Sequence, residues 1–408
     1  MPFKQRVFAL LKNRGLQFVL VIAFIAAWAY LSREPDPSFA AATIEERMVS
    51  VVIDGEPVRL AVRIYRPVIS ERLPTLIFHH GSTGTGRDPS SFDFVQSFEP
   101  VVTHFVRRGY AVILPSRRGR GGSEGVYDEG FLPSRDQGYA CSQAFSLPGA
   151  ERALTDFDAI TDEVLEMPFV DATRLLVGGV SRGGILSVAH AGQNPTSYKG
   201  VLNFGGGWLG QDCENAGLIN QTVFGWGAPY AGESLWLYAD EGTFYSLDHS
   251  KANFAGFRGA GGNASFHSDF LRPAGHGLAN DAGLWASAVD AYLNRHGLPF
   301  ARIGPGPFPQ FGPDPTTPSS AFVGIWSGVW GGTLPSTLDI SAVDVGGRVT
   351  GTYTFDGRTF PLDGLGVNQG ALRFGTAQAG ITEFFVARDN AIHGTWNARA
   401  SIILHKQR

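Results

Sequence analysis

The stretch from Arg174 to Gly184 constrains the fold of this chain more than any other. An aliphatic run, Leu175-Leu176-Val177-Gly178, ends in Gly179-Val180-Ser181-Arg182-Gly183, and a helix-compatible segment follows. A buried strand turning into a helix through G-x-S-x-G puts the serine on a sharp, strained corner, and small flanking residues let the two elements approach closely. In a chain with 53 glycines the five-residue pattern alone also fits an ordinary glycine-rich turn, so its surroundings must decide.

Those surroundings alternate in type. Met48–Ile53 and Val58–Tyr65 read as strands joined by the hairpin signal Asp54-Gly55. Pro74-Thr75-Leu76-Ile77-Phe78-His79-His80-Gly81-Ser82 is a continuous apolar run ending in a glycine turn, as expected of a strand buried on both faces of a parallel sheet. Phe92 to Arg108 has helical spacing, with Pro100 marking where the helix proper begins, and Thr155 to Leu165 has it again. Strands at Tyr110–Leu114, Arg174–Val177, Val201–Phe204, Leu235–Ala239 and Ser265–Leu271 precede a last helix at Asp281–Arg295. Strands and helices alternating at this spacing predict βαβ units, right-handed crossovers and a mostly parallel sheet.

Both ends of the chain differ from this middle. Lys4, Arg6, Lys12 and Arg14 precede an uncharged apolar run of fourteen residues, Phe18–Leu31, which is short for a spanning helix and suits an N-terminal anchor or a signal segment. The basic flank places the bulk of the chain on the exported side of a membrane. After the Pro- and Gly-rich stretch Ile303–Ser320, about eight short β-type runs with turn signals fill Phe322 to His405, which predicts a small antiparallel barrel or sandwich. The expected layout is an anchor or signal segment over residues 1–33, a catalytic-type α/β domain over 44–300, a linker over 301–320 and an all-β domain over 321–408. A net charge of −4 gives no electrostatic case for nucleic acid. Two cysteines, Cys141 and Cys213, exclude a multi-thiolate metal site, although export would permit them to pair.

A serine hydroxyl needs a base to take its proton, a carboxylate to orient that base, and donors for the oxyanion. With Ser181 as nucleophile, the acid and then the histidine are expected further along the chain. His276, in Gly275-His276-Gly277 between the last strand and the last helix, is the base candidate; His249, His267 and His296 lack such a setting. Asp240 and Glu241 follow the strand Leu235–Ala239, and Asp240 is the first choice of acid, with Glu241, Asp212 and Glu214 as alternatives. The backbone N–H groups of Arg182 and Ser82 are the expected oxyanion donors. The Arg182 side chain either overhangs the pocket mouth, favouring anionic substrates, or points outward from the surface.

With these residues in place, the chain resembles the α/β-hydrolase superfamily, and within it the dienelactone-hydrolase-like proteins, over about Val49 to Gly297. The resemblance rests on His79-His80-Gly81-Ser82, on Arg117-Arg118-Gly119-Arg120-Gly121-Gly122-Ser123-Glu124-Gly125, on the elbow, on Asn203-Phe204-Gly205-Gly206, on Leu235–Ala239 and on Gly275-His276-Gly277. It implies a mostly parallel α/β-hydrolase sheet flanked by helices, and cofactor-free, metal-free hydrolysis of a small-molecule ester or related acyl bond. It also favours a Cys141–Cys213 disulfide over two free thiols. Dienelactone hydrolases proper use a cysteine where Ser181 stands. Such relatives place the acid four residues after the strand tyrosine, which here is Gly242. A serine peptidase of the same fold is the alternative enzyme, and Gly242 keeps open a non-catalytic binding protein with a degenerate triad. The C-terminal part faintly resembles lipocalin- or avidin-like barrels through Gly324-Ile325-Trp326, Gly351-Thr352-Tyr353 and Gly394-Thr395-Trp396, whose aromatics would plug a barrel end unless they hold a ligand.

Overall fold

The computed structural model describes residues 42–407, apart from 70, 94–97, 240–243, 271–273, 304–316, 331–333, 356, 377–379, 387–390 and 397–399. The N-terminal apolar run, most of the linker and the acid candidates Asp240 and Glu241 lie outside the described residues. Among the described residues no helix is long and apolar enough to cross a membrane.

Two long strands, β1 (Ala42–Ile53) and β2 (Glu56–Pro67), form the hairpin that Asp54-Gly55 turns, with Asp54 and Gly55 both at positive φ. Then follow β3 (Leu73–His79), helix α1 (Glu99–Val106) and β4 (Ala111–Pro115). Helix α2 (Gln143–Leu165) leads to β5 (Val170–Val180), α3 (Arg182–Gln193) and β6 (Gly200–Phe204). Helix α4 (Ala216–Gly225), β7 (Ser234–Leu237), α5 (Leu247–Gly259), β8 (Ala264–His267) and α6 (Ala282–Arg295) complete this part. The eight strands make one sheet in the order β1-β2-β4-β3-β5-β6-β7-β8, parallel from β4 through β8, with β2 antiparallel to its neighbours. That strand order, with helices between the parallel strands, is the α/β-hydrolase fold.

Strands β3, β4 and β6 are buried along their whole length, which is why they read as unbroken apolar runs rather than alternating ones. Helix α2 extends well beyond the eleven residues its periodicity marks. It reaches back to Gln143 and takes Pro148 into its second turn, at the loss of one backbone hydrogen bond. Helices α4 and α5 were not legible as helices: both are short, and their apolar residues do not concentrate on one face.

The described residues between 324 and 406 form nine strands: β9 (Gly324–Trp330), β10 (Leu334–Val343), β11 (Val349–Phe355), β12 (Arg358–Pro361), β13 (Val367–Asn368), β14 (Ala371–Thr376), β15 (Gly380–Val386), β16 (Ile392–Trp396) and β17 (Ala400–Lys406). They build one antiparallel sheet in the order β12-β11-β10-β9-β17-β16-β15-β14-β13. Near its ends, Val349 N–H donates to the Leu365 carbonyl at 2.8 Å and Val367 N–H to the Gly347 carbonyl at 2.8 Å. Trp326, Tyr353, Phe384, Leu338, Ile392 and Leu404 fill its core. The Trp326 and Tyr353 aromatics are therefore packing residues, and Trp326 Nε1 is satisfied by the Phe322 carbonyl at 2.9 Å. This module meets the large sheet where Arg63 Nη2 of β2 lies 2.7 Å from His405 Nε2 of β17.

Candidate active site

The carboxyl ends of β3, β5, β6 and β7 and the segment after β8 converge, as ligand sites do in open parallel sheets. Ser181 stands between β5 and α3 with φ 57° and ψ −125°, a conformation that costs a non-glycine residue roughly 1–3 kcal/mol. It is buried, and four backbone hydrogen bonds hold the corner. Its N–H donates to the Phe204 carbonyl at 3.1 Å, while its carbonyl accepts from Gly184, Ile185 and Gly207 at 3.0, 3.2 and 3.2 Å. The motif glycines permit the close approach: a Cβ on Gly179 would lie 2.7 Å from the His79 carbonyl oxygen, and one on Gly183 would strike the same atom.

The turn after β3 faces the serine. A Cβ at Gly81 would lie 3.0 Å from Ser181 Cβ and 3.6 Å from its Oγ. The Gly81 carbonyl is held from the far side. Arg117 N–H donates to His80 Nε2 at 3.1 Å, which makes that nitrogen the acceptor and leaves Nδ1 protonated. His80 Nδ1–H donates to the Gly81 carbonyl at 2.8 Å, and Arg117 Nη2 and Arg120 Nη1 approach the same oxygen at 3.3 and 3.4 Å. Burial, reinforced by Arg117 and Arg120, keeps this imidazole neutral by pushing it well below the usual histidine range. In a trans peptide the N–H points opposite to the C=O, so fixing the Gly81 oxygen also fixes the direction of the Ser82 N–H. Arg182 N–H is the first donor of α3 and has no acceptor within the helix.

His276 lies in the 3-10 turn Gly275–Asn280 after β8. Its Nδ1 would be 3.5 Å from a Cβ placed on Gly205, and its ring packs against Phe244 at 4.9 Å and Tyr245 at 5.4 Å. Burial pushes its imidazole down to about 4, so it is neutral and able to accept a proton at pH 7. Among the described residues neither ring nitrogen has a hydrogen-bond partner. Asp212 and Glu214 are exposed and bond to neither nitrogen. His249 instead pairs with Asn220 at 3.0 Å, and His296 with Glu233 at 3.1 Å.

Both readings of the Arg182 side chain are corrected: it neither overhangs a pocket mouth nor points outward. It is 1% exposed, with its guanidinium carbon 3.7 Å from the Tyr139 ring centroid and 4.2 Å from that of Trp208. Nε donates to the Trp208 carbonyl at 3.0 Å, and Nη1 to the Glu129 carbonyl at 2.8 Å and carboxylate at 3.3 Å. Glu129 also takes Arg117 Nε at 2.5 Å and the Tyr127 hydroxyl at 2.9 Å. Burial raises its carboxyl, but Arg117, Arg182 and Arg120 outweigh this and hold it below the ordinary range. Cys141 and Cys213 form a disulfide with a Cα–Cα separation of 5.6 Å. It ties the strip carrying Tyr139 to the strip carrying Trp208, the two faces between which Arg182 is held. Glu129, Tyr139, Trp208 and Tyr245 were not singled out from sequence. The one signal for a buried counter-charge was the arginine-rich run Arg117-Arg118-Gly119-Arg120.

No group of histidine, cysteine, aspartate or glutamate side chains among the described residues could hold a metal ion. A strained buried serine, a glycine turn against it and a neutral imidazole at the same edge of the sheet are groups that can support nucleophilic acyl transfer.

The family model of the X-Pro dipeptidyl-peptidases (S15 family) matches residues 54–144, under a quarter of the chain. That span holds the Gly81 turn, the arginine loop and Glu129, and stops before Ser181. No curated protein sequence matches significantly. Among solved structures, the chain is similar to a dienelactone-hydrolase-like protein of Klebsiella pneumoniae at 18% identity, covering 55% of this chain and 85% of that one with a TM-score of 0.39. An acetyl xylan esterase from Paenibacillus sp. R4 shares 16% identity over 62% of this chain and 88% of its own, with a TM-score of 0.42. The acylaminoacyl peptidase of Pyrococcus horikoshii shares 15% over 62% of this chain and 41% of its own, with a TM-score of 0.43. Strand order identifies the chain as a protein of the α/β-hydrolase fold, similar at low identity to esterases and peptidases.

Proposed function

We propose that the protein is a serine hydrolase cleaving an acyl bond through Ser181, His276 and an acid from the segment after β7, with a peptide or other amide bond as the first substrate class and a carboxylic ester as the second. The observation that carries the reading is the strained, buried Ser181 at the carboxyl edge of the sheet, with the Gly81 turn against it and the His276 ring nearby. The order of substrate classes rests on the match to an X-Pro dipeptidyl-peptidase family over residues 54–144.

Ser181 Oγ attacks the acyl carbon as His276 takes its proton, and the carbonyl electron pair moves onto the oxygen, which the N–H groups of Arg182 and Ser82 receive. Collapse expels the amine or alcohol, protonated by His276, and leaves an acyl-enzyme. Water then repeats the sequence with His276 as base. Asp240 is the proposed orienter of His276, with Glu241 as its rival. The disulfide supports an oxidising compartment, in line with an exported chain held or led by its N-terminal apolar segment. The nine-stranded module is proposed to close as a small barrel.

Turnover of alanyl-prolyl p-nitroanilide and of short p-nitrophenyl esters, with Ser181→Ala as control, tests the reading and ranks the bonds. Hydrolysis retained in Ser181→Ala would sink the nucleophile assignment. Comparing Asp240→Asn with Glu241→Gln identifies the acid. A folded wild-type protein that a fluorophosphonate probe leaves unlabelled would favour the non-catalytic binding alternative.

A further inference from the structure

Two stretches that stand out in the sequence, Asn203-Phe204-Gly205-Gly206 and Leu235–Ala239, have no assigned role in the reaction above, yet their polar side chains meet next to the serine corner. Tyr238, the residue after β7, is 3% exposed, and Asn203 of β6 is fully buried. The Tyr238 hydroxyl donates to the Gly206 carbonyl at 2.7 Å and accepts from Asn203 Nδ2 at 3.1 Å. A carbonyl can only accept, so the phenol's one proton goes to Gly206 and the asparagine must present its amide N–H. The ring is fixed independently of its hydroxyl. It stacks on Phe266 at 5.1 Å and 10°, and Tyr238 N–H donates to the His267 carbonyl at 3.0 Å. Asn203 is held in turn between Gly184 and Gly206, at either of which an added Cβ would strike its Oδ1.

This pair holds one end of a relay of two peptides. The Gly206 carbonyl and the Gly207 N–H belong to the same trans peptide and point in opposite directions. Gly207 N–H donates to the Ser181 carbonyl at 3.2 Å, and that carbonyl shares its own peptide with the Arg182 N–H. Each plane has its carbonyl fixed and therefore its N–H aimed. Gly184 and Ile185 tie the Ser181 oxygen to α3 at 3.0 and 3.2 Å, and Gly207 ties it to the loop after β6. We propose that Tyr238, anchored by Asn203, is a positioning residue for acyl transfer: through the Gly206–Gly207 peptide it sets the direction in which the Arg182 N–H meets the oxyanion. Tyr238 keeps its proton and acts only through these two peptides. His80 does the same on the other side, its Nδ1–H on the Gly81 carbonyl ahead of the Ser82 N–H. One oxyanion donor is thus aimed from the turn after β3 and the other from the ends of β6 and β7. The inference rests on Ser181 as nucleophile and the Arg182 N–H as oxyanion donor.

Tyr238→Phe in the full chain removes one oxygen and keeps the stacked ring. Fluorophosphonate labelling needs no known substrate and places a phosphoryl oxygen where the oxyanion forms. It is expected to slow by about 5- to 30-fold, less than for the loss of a whole oxyanion donor. On whichever p-nitrophenyl ester or p-nitroanilide is turned over, kcat should fall by a similar factor while KM stays within about twofold, because the donor acts on charge that develops only in the transition state. A merely structural role does not predict the next readout. The thiono analogue of that substrate carries sulfur, a poorer acceptor, in place of the acyl oxygen, so the oxygen-over-sulfur ratio of kcat/KM must shrink in Tyr238→Phe. Tyr238 also leads into the segment proposed to carry the acid, so the acid limb of kcat/KM must stay in place; a limb that moves shows action through His276 and overturns the inference. Wild-type labelling and kcat in folded Tyr238→Phe, or an unchanged oxygen-over-sulfur ratio, overturn it as well, while an inert Ser181→Ala leaves the nucleophile standing. Should Tyr238→Phe fail to fold, Asn203→Leu keeps the shape but frees the phenol. It must then lower kcat by at least about threefold with the same shrunken ratio, and wild-type values there refute the role. Wild-type protein that does not label overturns the underlying reading and this inference with it.

Discussion

Glu129→Gln is the most telling single perturbation of this site. Among the described residues Glu129 is the only carboxylate hydrogen-bonded in a buried cluster that contains the guanidiniums of Arg117, Arg182 and Arg120, so the substitution keeps the shape and removes the counter-charge. A guanidinium and a carboxylate about 4 Å apart attract by roughly 4 kcal/mol at an effective dielectric of about 20. Two such contacts, from Arg117 and Arg182, are offset by the desolvation already incurred by the cations, which the glutamine does not relieve. Removing one partner of a buried pair accordingly costs about 3–5 kcal/mol. With an unfolding entropy of about 2.1 cal/mol/K per residue over roughly 370 residues, about 4 kcal/mol lowers Tm by about 5 °C in calorimetry at matched scan rates. The carboxyl is held below its unfolded value of about 4.5, so its contribution is complete above that pH and is lost as pH falls through the depressed folded value. The gap between wild type and Glu129→Gln must therefore close in acid. Activity should fall as well, since Arg117 holds the Gly81 turn and Arg182 is the residue after Ser181. A variant within about 1 kcal/mol of wild type, or a gap that does not narrow as pH falls below 4.5, would refute the reasoning.

Three further outcomes follow from the same structure. Reducing the Cys141–Cys213 bridge, or replacing it in Cys141→Ser/Cys213→Ser, opens a loop of 72 residues and should cost about 2–4 kcal/mol of stability. It should also lower kcat by loosening the Tyr139–Trp208 clamp on Arg182, which calorimetry and turnover with and without reductant will show. Burial alone holds His276 down to about 4 and a carboxylate behind it raises that value, so removing the acid in Asp240→Asn or Glu241→Gln should move the acid limb of kcat/KM to lower pH; a limb unmoved in both counts against an acid from that segment. His104 is likewise pushed down to about 4, chiefly by burial, so the unfolded chain takes up its proton first. Its share of stability, about 3 kcal/mol, is complete above pH 6.5 and lost between 6.5 and about 4, measurable as a falling Tm over that range.

The parts of this molecule that could be read from sequence are those in which one residue type has only one workable position. Strands β3, β4 and β6 were legible because a strand covered on both faces tolerates no charge, and β9 and β16 from the turn signals beside them in the sequence. Ser181 was legible because Gly179 and Gly183 are needed for the β3 carbonyls to pass so close. His276 was legible from the two glycines around it and its place after the last strand of the sheet. Helices α4 and α5 were not, since tertiary contacts rather than a periodic apolar stripe decide that they form. Neither was the fate of Arg182. An arginine following a nucleophile reads as a surface group until a second arginine-rich loop, a glutamate more than fifty residues upstream and a disulfide are seen to enclose it.

Glu129 and Arg117 show why the middle layer of a site is the hardest to read. Ser181 and His276, the proposed nucleophile and base, carry local signatures because backbone geometry constrains their neighbours. A residue that orients a peptide or touches an oxygen needs only the right side chain at the right point in space, and any loop that passes there can supply it. Here the Gly81 peptide is fixed by His80 from its own turn and by Arg117 and Arg120 from the loop after β4, while Glu129, from the segment before α2, balances their charge. The charge itself forces the arrangement. Three guanidiniums can be buried beside Ser181 only if a carboxylate and the carbonyls of His80, Gly81, Phe92 and Trp208 share them, and two of those carbonyls, of His80 and Gly81, belong to the turn that directs the Ser82 N–H. The cost of burying the arginines thus becomes the rigidity of the turns around Ser181, so a mutation that spares every group in contact with substrate can still slow the reaction.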